Sequence, residues 1–223
     1  MRNGVMSKSR KRYAISKTGK NTLWVLFFLF IFPAWMMVDR WAGVSVRQTV
    51  KSSLYQSQDW KKYHQQQFLV TAVIDGDTID LKIPDKEYPT TRVRLLGIDT
   101  PETKNPQTGV MYFGPEASDF TRRLCENKTV VVLLDSKADQ RDKYGRLLAY
   151  IRLPDGTVLN ERILAEGYGY AYLPYEHTCF DDYLELQTQA MQSGAGLWKN
   201  ATRKNLPQWL SKRRPDLLRQ TKN

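Results

Sequence analysis

The sequence predicts an α+β domain preceded by an apolar amino-terminal segment. Two observations lead to the fold class: a block of short β-branched runs comes first, and helical stretches follow that can pack on its side. The strand-like runs are Phe68–Ile74, Thr78–Ile83, Thr91–Ile98, Lys128–Leu134 and Tyr144–Leu153. Helices are predicted over Pro115–Asn127, Val158–Glu166 and Phe180–Ser193. Pro115 suits a first helical turn, where its missing N–H costs nothing. Gly167 and Gly194 fall just beyond two of the helices, as C-terminal stops do.

At 223 residues the chain has room for one main domain with appendages, and a hydrophobic content of 41% suffices for a core. The formal charge of +11 at first suggests a nucleic-acid binder. Its distribution removes that support. Residues 1–20 hold seven Lys/Arg and no acid, and residues 200–223 hold seven more against Asp216 alone. The stretch between them is left at −2, so net charge supports no functional claim about the domain.

Thr22 to Val38 reads TLWVLFFLFIFPAWMMV, seventeen residues without a charge. As a helix it would be about 26 Å long, slightly short of a hydrocarbon core of about 30 Å. Trp24, Trp35 and Trp41 suit the headgroup boundaries. Behind the basic residues 1–21, the run predicts a single-pass transmembrane anchor, or else an export signal with Leu23–Phe32 as its apolar region. No clean small-x-small cleavage site follows it. Both readings expect the rest of the chain outside the cytoplasm: membrane-held with the amino-terminus inside, or secreted after cleavage. Residues 39–66 read as a tether, in part helical, and 67–199 as the domain. Residues 200–223 read as a basic, solvated tail; Lys212-Arg213-Arg214 beside Trp209 receive no specific role.

Chemistry concentrates in three stretches. Asp75-Gly76-Asp77-Thr78 follows the first strand-like run, and Gly76 lets the backbone turn tightly there. Arg94-Leu95-Leu96-Gly97-Ile98-Asp99-Thr100-Pro101-Glu102 ends the third, with Pro101 stopping further pairing. If the two strands are neighbours, their carboxylates converge beside Arg94. Oxygen donors of this kind suit Ca²⁺ or Mg²⁺ rather than zinc or copper, and an adjacent arginine is a usual way to hold phosphate. An Asp in a turn can also simply bond its own backbone, an alternative that weighs most for Asp75. Asp142-Lys143-Tyr144-Gly145-Arg146 brings a second arginine to the head of the last run. His64, His177, Cys125 and Cys179 are too scattered for a zinc spacing. The two cysteines could pair outside the cytoplasm, although Cys125 falls near a helix end where a buried apolar residue is expected.

These motifs, with Tyr112-Phe113-Gly114-Pro115-Glu116-Ala117, Val158-Leu159-Asn160-Glu161 and Gly196-Leu197-Trp198 between and after them, resemble the staphylococcal nuclease (thermonuclease) family from about Phe68 to Trp198. The resemblance implies a five-stranded OB-fold-like β-barrel with three packed helices, whose rim binds nucleic acid. It also implies a Ca²⁺-dependent nuclease that acts on DNA and RNA and leaves 3′-phosphate ends. Asp77 and Asp99 are then the expected metal ligands, with the main-chain carbonyl of Thr100 as the third. Asp75 stands behind them, orienting Asp77 or a bound water. Glu102 is the candidate general base, and Arg94 and Arg146 would grip the phosphate. Lys143, Tyr144 and Tyr172 resemble the family's substrate-pocket residues, and stacking on tyrosine implies little sequence specificity. The loop after Glu102 departs from the pattern: Lys104 stands where the family's best-known member carries three basic residues. The rival expectation is a non-catalytic nucleic-acid-binding OB module tethered to the membrane. Loss of Asp77, Arg94, Glu102 or Arg146 would favour it, and none is lost. No protein partner is inferable, and a monomer is assumed.

Overall fold

In the computed structural model, which describes residues 58–103 and 109–214, the predicted runs become the five strands of a closed barrel. They are β1 (Gln67–Asp75), β2 (Thr78–Leu81), β3 (Thr91–Leu95), β5 (Thr129–Leu133) and β6 (Leu147–Arg152), in the order β1-β2-β3-β6-β5. β1 pairs with β5 to close the ring. Every pairing is antiparallel except β3 with β6, which run parallel with Val93 opposite Leu147 and Arg94 opposite Leu148. Alternation turns Val70, Ile79, Val93, Leu95, Val132, Leu147 and Ala149 into the core. The pairing of β1 with β2 shifts register twice, at Val70/Ala72 and Val73/Asp75.

Three main helices cover the barrel: α1 (Gly114–Cys125), α2 (Leu159–Ala165) and α3 (Phe180–Ser193). Pro115 occupies the first turn of α1, and α3 stops at Gly194 in the left-handed conformation. α2 is tied down by the buried Asn160. Its Nδ2 donates to the carbonyls of Leu96 (2.9 Å) and Ala149 (3.3 Å), and its Oδ1 accepts the Ile151 N–H at 3.1 Å.

The structure departs from the sequence expectation in three places. The predicted strand Thr91–Ile98 is broken at Leu96-Gly97, where Gly97 has φ 76 and lies against His177 too closely for a Cβ. Beyond the break β4 (Ile98–Asp99) pairs with β7 (Tyr170–Ala171) as a separate two-stranded sheet. Packing also begins ahead of Phe68: residues 58–63 are helical, Tyr63 is fully buried, and its hydroxyl meets Thr91 Oγ1 at 3.0 Å. Asp59 accepts from the Arg141 guanidinium at 2.6 and 2.8 Å, and Asp85 accepts from its other side. Finally, residues 200–214 are folded rather than a solvated tail. A 3₁₀ turn (Arg203–Asn205) and α4 (Gln208–Arg213) bury Leu206 and Leu210 in a second small core with Tyr170, Ala190, Leu197 and Trp198. Lys212 and Arg213 remain exposed.

Cys125 and Cys179 are both free thiols. Cys125 is buried on α1, donates to the Thr121 carbonyl at 3.2 Å, and is pushed up to about 12 by burial. Among the described residues no helix is long and apolar enough to cross a membrane. The anchor or export signal expected at 22–38 lies outside the described residues, as do loop residues 104–108.

Candidate active site

The β1–β2 turn carries the first carboxylates. Gly76 is required there by proximity, since a Cβ would come within 2.6 Å of Thr100 Oγ1. That closeness joins the two acidic stretches. Asp77, only 2% exposed, accepts from the Thr100 N–H (3.0 Å) and Thr100 Oγ1 (3.2 Å) through Oδ2, and from Thr78 Oγ1 (2.9 Å) through Oδ1. Asp75 does not bond Asp77. Its Oδ1 accepts from Gly76 N–H (2.8 Å), Thr103 Oγ1 (3.0 Å) and Ser118 Oγ (2.9 Å), which pins the turn to α1.

Arg94 projects from β3 between the two candidate metal ligands. Its Nη1 pairs with Asp77 Oδ1, and its Nη2 reaches Asp99 Oδ1 at 2.5 Å and the Ile98 carbonyl at 3.3 Å. Burial works against the charge of Arg94, but Asp77 and Asp99 outweigh it and hold the guanidinium protonated. The opposite imbalance affects the acids. Burial raises Asp77, and the charges of Asp99 and Asp75 add to the rise that Arg94 opposes. Glu102 is pushed up to about 7 by burial, by the charges of Asp75 and Asp77, and by a hydrogen bond with Asp75. Asp77 and Glu102 therefore stand in a region with less positive charge than their ionised forms need.

That surplus tests whether a cation fits. Asp77, Asp99 and the Thr100 carbonyl are an all-oxygen set of the kind a hard divalent ion takes, with uncompensated negative charge around it. They are few, however: among the described residues no group of three or more His, Cys, Asp or Glu is arranged to hold a metal. A cation here would complete its coordination with water.

Arg94 and Glu102 open onto a cleft of about 880 Å³, also lined by Lys143, Tyr144, Arg146 and Tyr172. Arg146 enters through a tight turn. Asp142 Oδ1 accepts the N–H groups of Tyr144 (2.9 Å) and Arg146 (3.0 Å), and Asp142 Oδ2 accepts from Arg146 Nε at 2.6 Å. Gly145, at φ 82, supplies the left-handed residue of that turn. Tyr144 is 72% exposed, with the Lys143 ammonium 4.9 Å and the Arg146 guanidinium 5.4 Å from its ring centroid. Tyr172 is raised by burial and by the charge of Asp99. The structure thus gathers all ten residues singled out in the sequence around one cleft and the acidic cluster behind it.

Two neighbours were not singled out. Tyr175, three residues beyond Tyr172, also lines the cleft, with ring centroids 6.0 Å apart. Trp209 of α4 donates its Nε1–H to Asp99 Oδ2 at 2.8 Å and stands edge-on to Tyr172 at 5.1 Å. Tyr175 shares an aromatic stretch that could have flagged it; Trp209 lies in a basic segment without such a sign.

Comparisons with known proteins converge on one family. A family model described as staphylococcal nuclease homologue matches residues 92–200. A thermonuclease of Staphylococcus hyicus is 35% identical over 158 residues, covering 70% of this chain and 90% of that protein. A thermonuclease of Staphylococcus intermedius is 46% identical over 100 residues, 45% of this chain and 56% of the relative. Endonuclease YncB of Bacillus subtilis (strain 168) is 40% identical over 121 residues, 54% and 55% of the two chains. With that coverage, and with the barrel and the clustered acids and arginines described above, the chain belongs to the staphylococcal nuclease family.

Proposed function

We propose that this chain is a Ca²⁺-dependent nuclease that hydrolyses phosphodiester bonds of DNA and RNA with little sequence specificity and leaves 3′-phosphate ends. One observation carries the reading: Asp77, Arg94, Asp99 and Thr100 are bonded together beside Glu102, at a cleft that also receives Arg146. Asp77, Asp99 and the Thr100 carbonyl would hold the cation, which when bound supplies positive charge to polarise a phosphate oxygen.

The chain's own groups do the rest. Glu102 takes the proton from the attacking water. Arg94 and Arg146 hold the phosphate and neutralise the charge that builds on its equatorial oxygens. Lys143 meets the terminal phosphate, and Tyr144 and Tyr172 offer faces on which any base can stack. Asp75 keeps the turn that carries Asp77 fixed against α1. The charge-free run 22–38 behind seven basic residues supports membrane anchorage, or secretion after cleavage, with the nuclease domain outside the cytoplasm. Free Ca²⁺ is abundant there, which suits a site with few carboxylates.

The test incubates the full-length chain with single-stranded DNA or RNA, with Ca²⁺ or chelator, alongside Glu102→Gln. Cleavage is expected only with Ca²⁺, with the variant slower by about 10²–10⁴-fold. The ends should refuse polymerase extension until a phosphatase removes the 3′-phosphate. Binding without cleavage under both conditions would overturn the reading in favour of a non-catalytic binding module.

A further inference from the structure

Asp99 is gripped from two directions. Arg94 takes Oδ1 at 2.5 Å, and the indole N–H of Trp209 takes Oδ2 at 2.8 Å. The second contact comes from a part of the chain that the family model, ending at residue 200, does not include. Trp209 is itself well fixed. Its ring is edge-on to Tyr172 (5.1 Å, 78°) and Tyr170 (6.4 Å, 86°), and its helix is held down by Leu210, which is fully buried. Ahead of α4, Thr202 donates its N–H (2.9 Å) and its hydroxyl (2.7 Å) to Asn205 Oδ1 and so fixes the turn.

Asp99 has the opposite need. It ends a two-residue strand, its side chain is 18% exposed, and little but its partners fixes the carboxylate plane. A rigid N–H donor on Oδ2 sets that plane and leaves Oδ1 facing Arg94 and, beyond it, Asp77. Hydrogen bonds of this kind to a liganding carboxylate orient it and change its affinity for the ion.

We infer that the segment Thr202–Arg214 completes the active site, with Trp209 as a positioning residue that fixes the Asp99 carboxylate for a divalent cation. The inference rests on the reading of Asp99 as a cation ligand given under Proposed function. It assigns a site role to a segment that sequence alone leaves as a basic tail.

Trp209→Phe in the full-length chain keeps an aromatic ring on the side of Tyr170 and Tyr172 and removes the donor. The Ca²⁺ dissociation constant measured by calorimetry is expected to rise about tenfold. At saturating Ca²⁺, KM for single-stranded DNA should stay within about twofold, since uniform substrate binding is untouched. Superimposable Ca²⁺ isotherms for the two proteins would overturn the inference. A second readout does not need the Trp209 variant. With nitrogen-15-labelled indoles, the Trp209 Nε1–H resonance should differ between wild type and Asp99→Asn, and an unmoved resonance also overturns the inference. Wild-type protein that neither binds Ca²⁺ nor cleaves DNA sinks the nuclease reading and the cation half of this inference together. The indole resonance then decides the Trp209–Asp99 contact by itself.

Discussion

The proposed function gives Arg94 two tasks that compete for one guanidinium. In this conformation it clasps Asp77 and Asp99, and as a catalytic group it would also have to face a phosphate. A planar fork can share its donors among three oxyanions, whereas an ammonium presents a single point of charge. Arg94→Lys should therefore lower kcat on single-stranded DNA by about 10²–10³-fold at excess Ca²⁺, the usual cost of losing a transition-state donor. A variant within tenfold of wild type would reduce Arg94 to a clasp for Asp77. Asp135 shows the contrasting case of a carboxylate that is fully satisfied. Burial alone would raise it, but N–H groups of Lys137, Ala138 and Thr178 and the Tyr150 hydroxyl donate to it at 2.7–2.9 Å. The hydrogen bonds win and hold it at about 2, below the value of about 3.9 expected in the unfolded chain. Its stabilisation is thus complete above about pH 4 and is lost as the pH falls towards about 2. Urea midpoints of wild type and Asp135→Asn should differ at neutral pH and draw together across that interval.

At the scale of elements, the β1–β2 turn and the stretch after β4 act as one unit because Thr100 packs where Gly76 has no side chain. Gly76→Ala should push them apart, costing about 1–3 kcal/mol of stability as an overpacked contact does. Urea unfolding measures that cost, and a neutral result would show that Thr100 yields freely. The turn was legible from local chemistry, Asp-Gly-Asp at the end of a β-branched run, and so were the Pro115 start of α1 and the Gly194 stop of α3. The reason for Gly76 was not, since its partner Thr100 lies well along the chain. Nor could β4 and β7 be foreseen, because two residues each leave no alternation to count. α4 has six residues, too few to show a helical period, and a lone tryptophan among lysines and arginines does not announce the carboxylate it will meet. Arg94, Asp99 and Glu102 were readable as a group because one short stretch carries all three. Their meeting with Asp77 was conditional on the first and third strand-like runs being neighbours; those runs are not paired, and it is β2, between them in the barrel, that pairs with β3 and brings Asp77 to Arg94.

For the whole molecule, the folded unit is larger than the family resemblance suggests. A fragment spanning 67–199 discards Tyr63, Leu206 and Leu210 from the packed interior, and removes Asp59 from Arg141. Each fully buried apolar side chain contributes about 1.5–3 kcal/mol, so the short fragment should be about 5 kcal/mol less stable than 58–214. In a protein of this size that corresponds to about 10 °C or more in Tm. Equal melting of the two fragments would mean that the flanks add nothing to the barrel. The parallel pairing of β3 with β6 has a different kind of effect. Val93 meets Leu147 only after all the intervening chain has been gathered in, and contacts of such separation form late because loop closure must come first. Arg94 stands on one of these strands and Arg146 directly ahead of the other. A chain still leaving the ribosome thus has both guanidiniums in its sequence but not yet in one place, and they are brought together only when those two strands pair.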